Sequence, residues 1–160
     1  MNSTSFTESI VEHATLAWLE ALGYGIAHGP EIGCGQPGAE REDWAQVVLE
    51  GRLRLALIRL NPKVPASAID EAFRKLTRPD SPSLWSRATT PCTGCWWRGC
   101  RLSINARTVP LGSDIVRVID FDDPENNDFL AVNQLTVVEN KHERRPDVVL
   151  YINGSNTESD

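Results

Sequence analysis

Near its C-terminal end the chain reads Val148-Val149-Leu150-Tyr151-Ile152, followed directly by Asn153-Gly154. An unbroken apolar, β-branched-rich run of this length is the pattern of a strand buried on both faces, and Asn-Gly after it is a strong signal for a tight hairpin turn. This end of the molecule must therefore be a sheet that turns back antiparallel. Upstream, Phe129 to Glu139 alternates well enough for a second strand, with Leu130, Val132, Leu135, Val137 and Val138 supplying apolar surface, and a polar turn is expected from Asn140 to Arg145. The residues after Gly154, Ser-Asn-Thr-Glu-Ser-Asp, are expected to be too short and too polar to form the returning strand.

The first half of the chain reads as helical. Ser5 and Glu8 form a capping-box pattern, and Ile10, Val11, Ala14, Ala17, Trp18, Ala21 and Leu22 follow at helical spacing before Gly23. Gly25 to Gly38 is rich in Gly and Pro and reads as a loop. A second helix is expected from about Asp43 to Leu60, ending at Asn61-Pro62. A third is expected from Ser67, with Ile69, Ala72, Phe73 and Leu76 on one face, closing before Pro79.

At 160 residues and 41% hydrophobic content the chain fits one domain with a real core. No apolar run approaches the ~18 residues of a membrane span, and Met-Asn-Ser-Thr-Ser lacks the charged-then-apolar pattern of a signal peptide, so a cytoplasmic location with no membrane partner is expected. A net charge of −6 and a pI near 5.1 argue against this piece holding DNA by itself, because phosphate binding is driven by Lys and Arg displacing counterions.

The chemistry-bearing pair is Pro146-Asp147, at the mouth of the buried strand. An Asp after Pro can simply make a turn. It can also hold a divalent cation, because Mg²⁺ takes hard carboxylate oxygens and keeps several waters. Glu139-Asn140-Lys141 is a local decoy: Glu and Lys two apart on a strand share a face, but charged groups at strand ends are usually just solvated, as is His142.

The end segment resembles the N-terminal nuclease domain of the restriction (R) subunit of type I restriction enzymes. So do Phe6-Thr7-Glu8-Ser9-Ile10-Val11-Glu12, Pro37-Gly38-Ala39-Glu40-Arg41-Glu42-Asp43, Arg78-Pro79-Asp80-Ser81-Pro82-Ser83-Leu84 and Ile119-Asp120-Phe121-Asp122-Asp123-Pro124-Glu125-Asn126-Asn127-Asp128-Phe129. The resemblance covers most of residues 5 to 84 and 114 to 154. It implies an α/β fold: a helical N-terminal part followed by a mixed sheet of the PD-(D/E)xK nuclease type, with an active site written P-D and then E-x-K on the next strand. Asp147 then corresponds to the catalytic, Mg²⁺-binding aspartate, while the E-x-K has no counterpart, which leaves the sheet incomplete. The same resemblance suggests that a first-helix glutamate, Glu8 or Glu12, approaches the metal; the alternative is a cap and a solvated acid. For a whole subunit it implies DNA cleavage after ATP-driven translocation. ATP would bind motor domains absent from these residues, and DNA and the modification and specificity subunits would be the partners.

The likeness stops at Trp85 and returns by Asp114. In between, Trp85, Trp96, Trp97 and Cys92, Cys95 and Cys100 crowd into a stretch with no strand or helix period. Splitting each codon after its second base forces Trp96 to a leucine codon and Trp97 to a valine codon. It limits the three cysteines to Leu, Met or Val, and Thr93 to His or Tyr. With codons chosen within those limits, residues 88 to 101 reread as N-N-P-V-H-R-L-L-V-E-G-V-P and Asn105 to Gly112 as R-P-D-G-S-I-G. The family has N-N-x-x-x-H-x-x-L-V-x-G-V followed by R-P-D-G. The expectation is thus an out-of-frame segment, poorly ordered, over 85 to about 111. The rival is a zinc site, since C-x₂-C-x₄-C begins like a knuckle; it lacks a nearby fourth ligand, with Cys34 far upstream.

The reading is one truncated nuclease-like domain over 1–160: a mainly helical part at 5–84, an aberrant segment at 85–111, a strand-rich half-core at 114–154 and a tail at 155–160. Alone, it is expected to be inactive. A small zinc-binding interaction protein built on Cys92, Cys95 and Cys100, and a non-catalytic remnant that docks on the other subunits, are the alternatives. The coding DNA from codon 84 to beyond codon 160 separates them. The shifted frame is expected to spell the hairpin, with an E-x-K strand encoded downstream; codons that forbid this, together with zinc in the purified protein, would instead make the cysteines functional.

Overall fold

The computed structural model describes residues 3–77, 116–139 and 142–156. The segment 85–111, and with it the expectation of poor order there, lies outside the described residues. Four helices are described, α1 (Ser3–Ala21), the single turn α2 (Gly29–Ile32), α3 (Glu50–Leu60) and α4 (Ala66–Thr77). The strands are β1 (Gly25–His28), β2 (Phe129–Asn133), β3 (Val137–Glu139), β4 (His142–Arg144), β5 (Val148–Ile152) and β6 (Ser155–Asn156). The fold is α/β, with a mixed four-stranded sheet in the order β1-β2-β5-β6 and a separate β3-β4 hairpin.

Several elements depart from the sequence expectations, each for a local reason. The Gly/Pro-rich stretch from Gly25 is not all loop. Its first four residues form β1, parallel to β2 with Gly25 opposite Leu130 and His28 opposite Asn133. The strand expected over Phe129 to Glu139 is cut at Gln134, whose φ of 54° takes the backbone into the left-handed region. The expected turn contains β4, paired with β3 through Val137↔Arg144. The second helix begins at Glu50, not near Asp43, because the intervening backbone is engaged elsewhere. Trp44 C=O accepts from Val138 N–H at 3.2 Å, and Leu49 N–H donates to Gly154 C=O at 2.9 Å. Ser5 lies inside α1, so it does not serve as the cap. On α1, Leu19 is buried while Ile10, Val11 and Trp18, with Leu22 just beyond the helix, are exposed among the described residues.

The sheet separates two environments. Leu130 and Val132 of β2 stand opposite Tyr151 and Val149 of β5, and this face forms a core with Ile32, Val47, Leu49, Leu135 and Val137. A second cluster joins α3 and α4 through Leu53, Leu57, Ile69 and Ala72, with Val116 and Val118. Each fully buried Leu or Tyr here contributes about 1.5–3 kcal/mol by leaving water. Arg52 on α3 clamps the two halves: it bonds Glu40 through Nε and Nη2 and Asp128, just before β2, through Nη1 at 2.9 Å. The hydrogen bonds to Glu40, then to Asp128, hold its pKa above the ordinary arginine value, so the clamp stays charged at any working pH.

The Asn153-Gly154 turn behaves as its sequence predicts, with φ of 53° and 78°, and it does return the chain. Ile152 pairs with Ser155 and Tyr151 with Asn156. The expectation that no residue after Gly154 joins the sheet is thus corrected, because the turn geometry itself enforces the first two pairs. Gly154 is also pressed onto the start of α3, where a Cβ would lie 2.5 Å from Leu49 O and 2.7 Å from Leu53 N. Gly154→Ala is expected to destabilise the fold by at least about 2 kcal/mol through strain and backbone overlap together, read as a lowered urea midpoint. An unchanged midpoint would mean that the turn does not dock on α3.

Candidate functional site

Strand ends fix the geometry of the site. β2 and β5 run antiparallel with Asn133 opposite Val148, so the residue that leaves β2, Gln134, meets the residue that enters β5, Asp147. Gln134 N–H donates to Asp147 C=O at 3.0 Å, which closes the pair beyond the last ladder position. Asp147 is exposed. Gly29 allows the neighbouring turn to approach, since a Cβ there would stand 2.4 Å from Gln134 O.

The first helix supplies a carboxylate to the same end of the sheet. Glu12 Oε1 accepts from Asn133 Nδ2 at 3.1 Å and from Gln134 Nε2 at 3.0 Å. Asn133 is only 5% exposed, and its Oδ1 is buried with no hydrogen-bond partner among the described residues. Such an orphaned acceptor is uncommon, and water or a cation is the usual explanation. Through its bonds to Asn133 and Gln134, Glu12 is tied to the end of β2, and Asp147 joins the same junction through its backbone carbonyl.

Of the residues singled out in the sequence, Asp147 is at this junction. Glu8 lies on α1, one helical turn before Glu12, with its side chain outside the described part. Glu139 ends β3 opposite an exposed His142 at the tip of the β3-β4 hairpin, and Lys141 lies outside the described residues. Cys92, Cys95 and Cys100 also lie outside them; Cys34 is a free thiol, half-buried. No group of three or more His, Cys, Asp or Glu side chains among the described residues is arranged to hold a metal. Asn133 and Gln134 were not legible as site residues. Two amides closing a strand carry no chemical signature until the fold sets a helix carboxylate against them.

The sequence matches the family described as type I restriction enzyme R protein N terminus over residues 5–156. The chain belongs to this family. It is 31% identical over 151 residues to the type I restriction enzyme HindI endonuclease subunit of Haemophilus influenzae, an alignment covering 92% of this chain and 14% of that protein. It is 30% identical over 148 residues to the putative type I restriction enzyme MjaIXP endonuclease subunit of Methanocaldococcus jannaschii, covering 91% of this chain and 14% of the relative. The chain thus spans about one-seventh of the length of these relatives. No solved structure matches it. In the R-protein family frame, the residues matched include α1, the β2-β5 junction and the Asn153-Gly154 turn.

The two carboxylates of the junction differ in what they support. Glu12→Ala removes the acceptor of a buried amide and is expected to cost about 1–3 kcal/mol. Asp147→Ala, at an exposed side chain whose backbone bond is kept, should stay within about 0.5 kcal/mol. Urea unfolding of the two variants beside the parent checks the contrast, and equal losses would mean that Glu12 does not hold α1 to the sheet.

Proposed function

We propose that this chain is the N-terminal nuclease region of a type I restriction R subunit, and that Asp147 is its metal-binding carboxylate in Mg²⁺-dependent DNA cleavage. The observation that carries the reading is the position of Asp147. It is exposed at the entry of the central strand β5, its backbone bonded to Gln134, whose side chain in turn bonds the helix-borne Glu12, in a chain of a restriction endonuclease family.

The donor chemistry fits a hard divalent cation. Asp147 offers an exposed carboxylate, and Glu12 would offer a second one held in place by two amides. Magnesium at such a site supplies Lewis-acid polarisation of a phosphate and a water of lowered pKa. The residues of this chain do the holding. Gln134 fixes the backbone of Asp147, and the Asn133 and Gln134 amides fix the Glu12 oxygen, so the Glu12 carboxylate is positioned before any ligand arrives.

The set is incomplete within these residues. Beyond Asn156, each further step of a return strand in the observed register is matched by one step back along β5 from Tyr151. Such a strand draws level with Asp147 about four residues later, which is where a second carboxylate and a lysine would have to enter. The 160 residues supply no E-x-K at that point. By the same reading, a whole subunit draws on ATP-driven motor domains, on modification and specificity subunits for most DNA contacts, and works in the cytoplasm. That division of labour accommodates the net charge of −6.

The 160-residue chain is expected to bind Mg²⁺ or Mn²⁺ only in the millimolar range or weaker, with binding lost in Asp147→Ala, as titration calorimetry would read. It is expected to leave supercoiled plasmid DNA intact in the presence of Mg²⁺. Cutting that Asp147→Ala abolishes would show the site to be complete after all, and metal binding indifferent to Asp147 would remove the proposed ligand.

A further inference from the structure

Arg41 carries a charge that the described structure does not neutralise. It is 2% exposed. Its Nη1 donates to the backbone carbonyls of Thr136 at 3.0 Å and Gln46 at 3.4 Å, whereas Nε and Nη2 are buried with no partner. No carboxylate among the described residues forms an ion pair with it; the adjacent Glu40 gives both oxygens to Arg52. The Trp44 ring lies against the guanidinium, 5.7 Å from Cζ to the ring centre, and Trp44 is itself 41% exposed. Burial lowers the Arg41 pKa, but a guanidinium remains protonated in proteins, so a free cation inside the molecule is the net result.

The two idle donors are the informative pair. In a planar guanidinium, Nε–H and the facing N–H of one terminal nitrogen form the side-on fork that accepts two oxygens of a carboxylate or phosphate at once. Here Nη1 is tied down and that fork is what remains. Beside it opens a cavity of about 630 Å³, lined by Arg41, Glu42, Gln46, Arg52, Leu55 and Arg59 among others. Arg52 is neutralised by Glu40 and Asp128, while Arg59 bonds only the neutral Asn153 amide at 3.2 Å and forms no ion pair among the described residues. The same lining carries Glu40 and Asp128, both engaged by Arg52, and Glu42 and Glu50, so Arg41 is set apart from the other lining charges by its burial and its idle donors.

We propose that Arg41 anchors a binding site for a small free oxyanion, phosphate or carboxylate, which reaches the Nε/Nη2 fork when the part-exposed Trp44 ring that lies against the guanidinium swings aside. The site is independent of Asp147 and of the nuclease reading. Paired in this way, a buried guanidinium turns from a liability into an ordinary bidentate contact.

Thermal unfolding of the full 160-residue chain tests this, with inorganic phosphate, acetate or chloride titrated at matched ionic strength and pH. Phosphate is expected to raise the midpoint saturably, and Arg41→Met is expected to remove the saturable part. Arg41→Lys keeps the charge without the fork, and should need about tenfold more phosphate for half the shift; it carries the test if the Met variant does not fold. Trp44→Ala should reach saturation at lower phosphate. An acetate response equal to that of phosphate would assign the site to carboxylates, and a phosphate response alone to phosphoryl groups. A midpoint that responds no more to phosphate than to chloride, or an equal response in the parent and either Arg41 variant, would overturn the proposal.

Discussion

Asn153 has no exposure to solvent, and its side-chain amide is shared among parts of the chain far apart in sequence. Its Nδ2 donates to Val118 C=O and Asn127 Oδ1, and its Oδ1 accepts from Asp128 N–H and from Arg59 on α3. Its own backbone N–H donates to Asp128 C=O at 2.8 Å. Asn127 continues the network to Asp120, whose carboxylate is held below its usual pKa by hydrogen bonds from Asn126 and the Asp123 amide. A buried amide satisfied on every side fixes a unique arrangement, because any displaced alternative leaves several polar groups unpaired at once. The position of β5, and so of Asp147 at its other end, follows from this anchor.

The sequence revealed those features that depend on local chemistry. An apolar β-branched run ending in Asn-Gly has few other conformations open to it, so β5 and its turn were legible. The same holds for α4 from its apolar periodicity. Elements created by tertiary pairing were not. Gly25-Ile26-Ala27-His28 has neither alternation nor a continuous apolar run, and becomes a strand only because β2 offers a parallel edge. The residues ahead of Glu50 have helical spacing, yet their amides and carbonyls find partners in β3 and in the turn at Gly154. Propensity is a weak prior wherever such partners exist.

The same division holds at the candidate site. Asp147 could be singled out because Pro-Asp before a buried strand is unusual and resembles a known motif. Glu12 was one of two acids on the first helix, and only the fold distinguishes it, by placing its carboxylate on Asn133 and Gln134. Arg41 gave no signal at all in the sequence, where an arginine between two glutamates reads as a solvated charge. Its burial arises from the tight path of residues 40–49, a path set by backbone bonds to Val138 and Gly154, with the Arg41 side chain itself bonding Thr136 C=O.

The parallel pairing of β1 with β2 has a topological corollary. From His28 to Phe129 the chain makes an excursion of about one hundred residues before the two strands meet, and the entropy of closing such a loop grows only with the logarithm of its length. Doubling the excursion adds about 0.6 kcal/mol, whatever its composition. The β2-β5-β6 meander, by contrast, closes over short separations and belongs to the fast, low-contact-order part of folding. During synthesis β1 must therefore wait, unpaired, until the chain has been made as far as β2. Added length within the excursion therefore costs the closed sheet little, whereas Ile32, Val47 and Leu49, which also lie inside it, pack directly on that sheet.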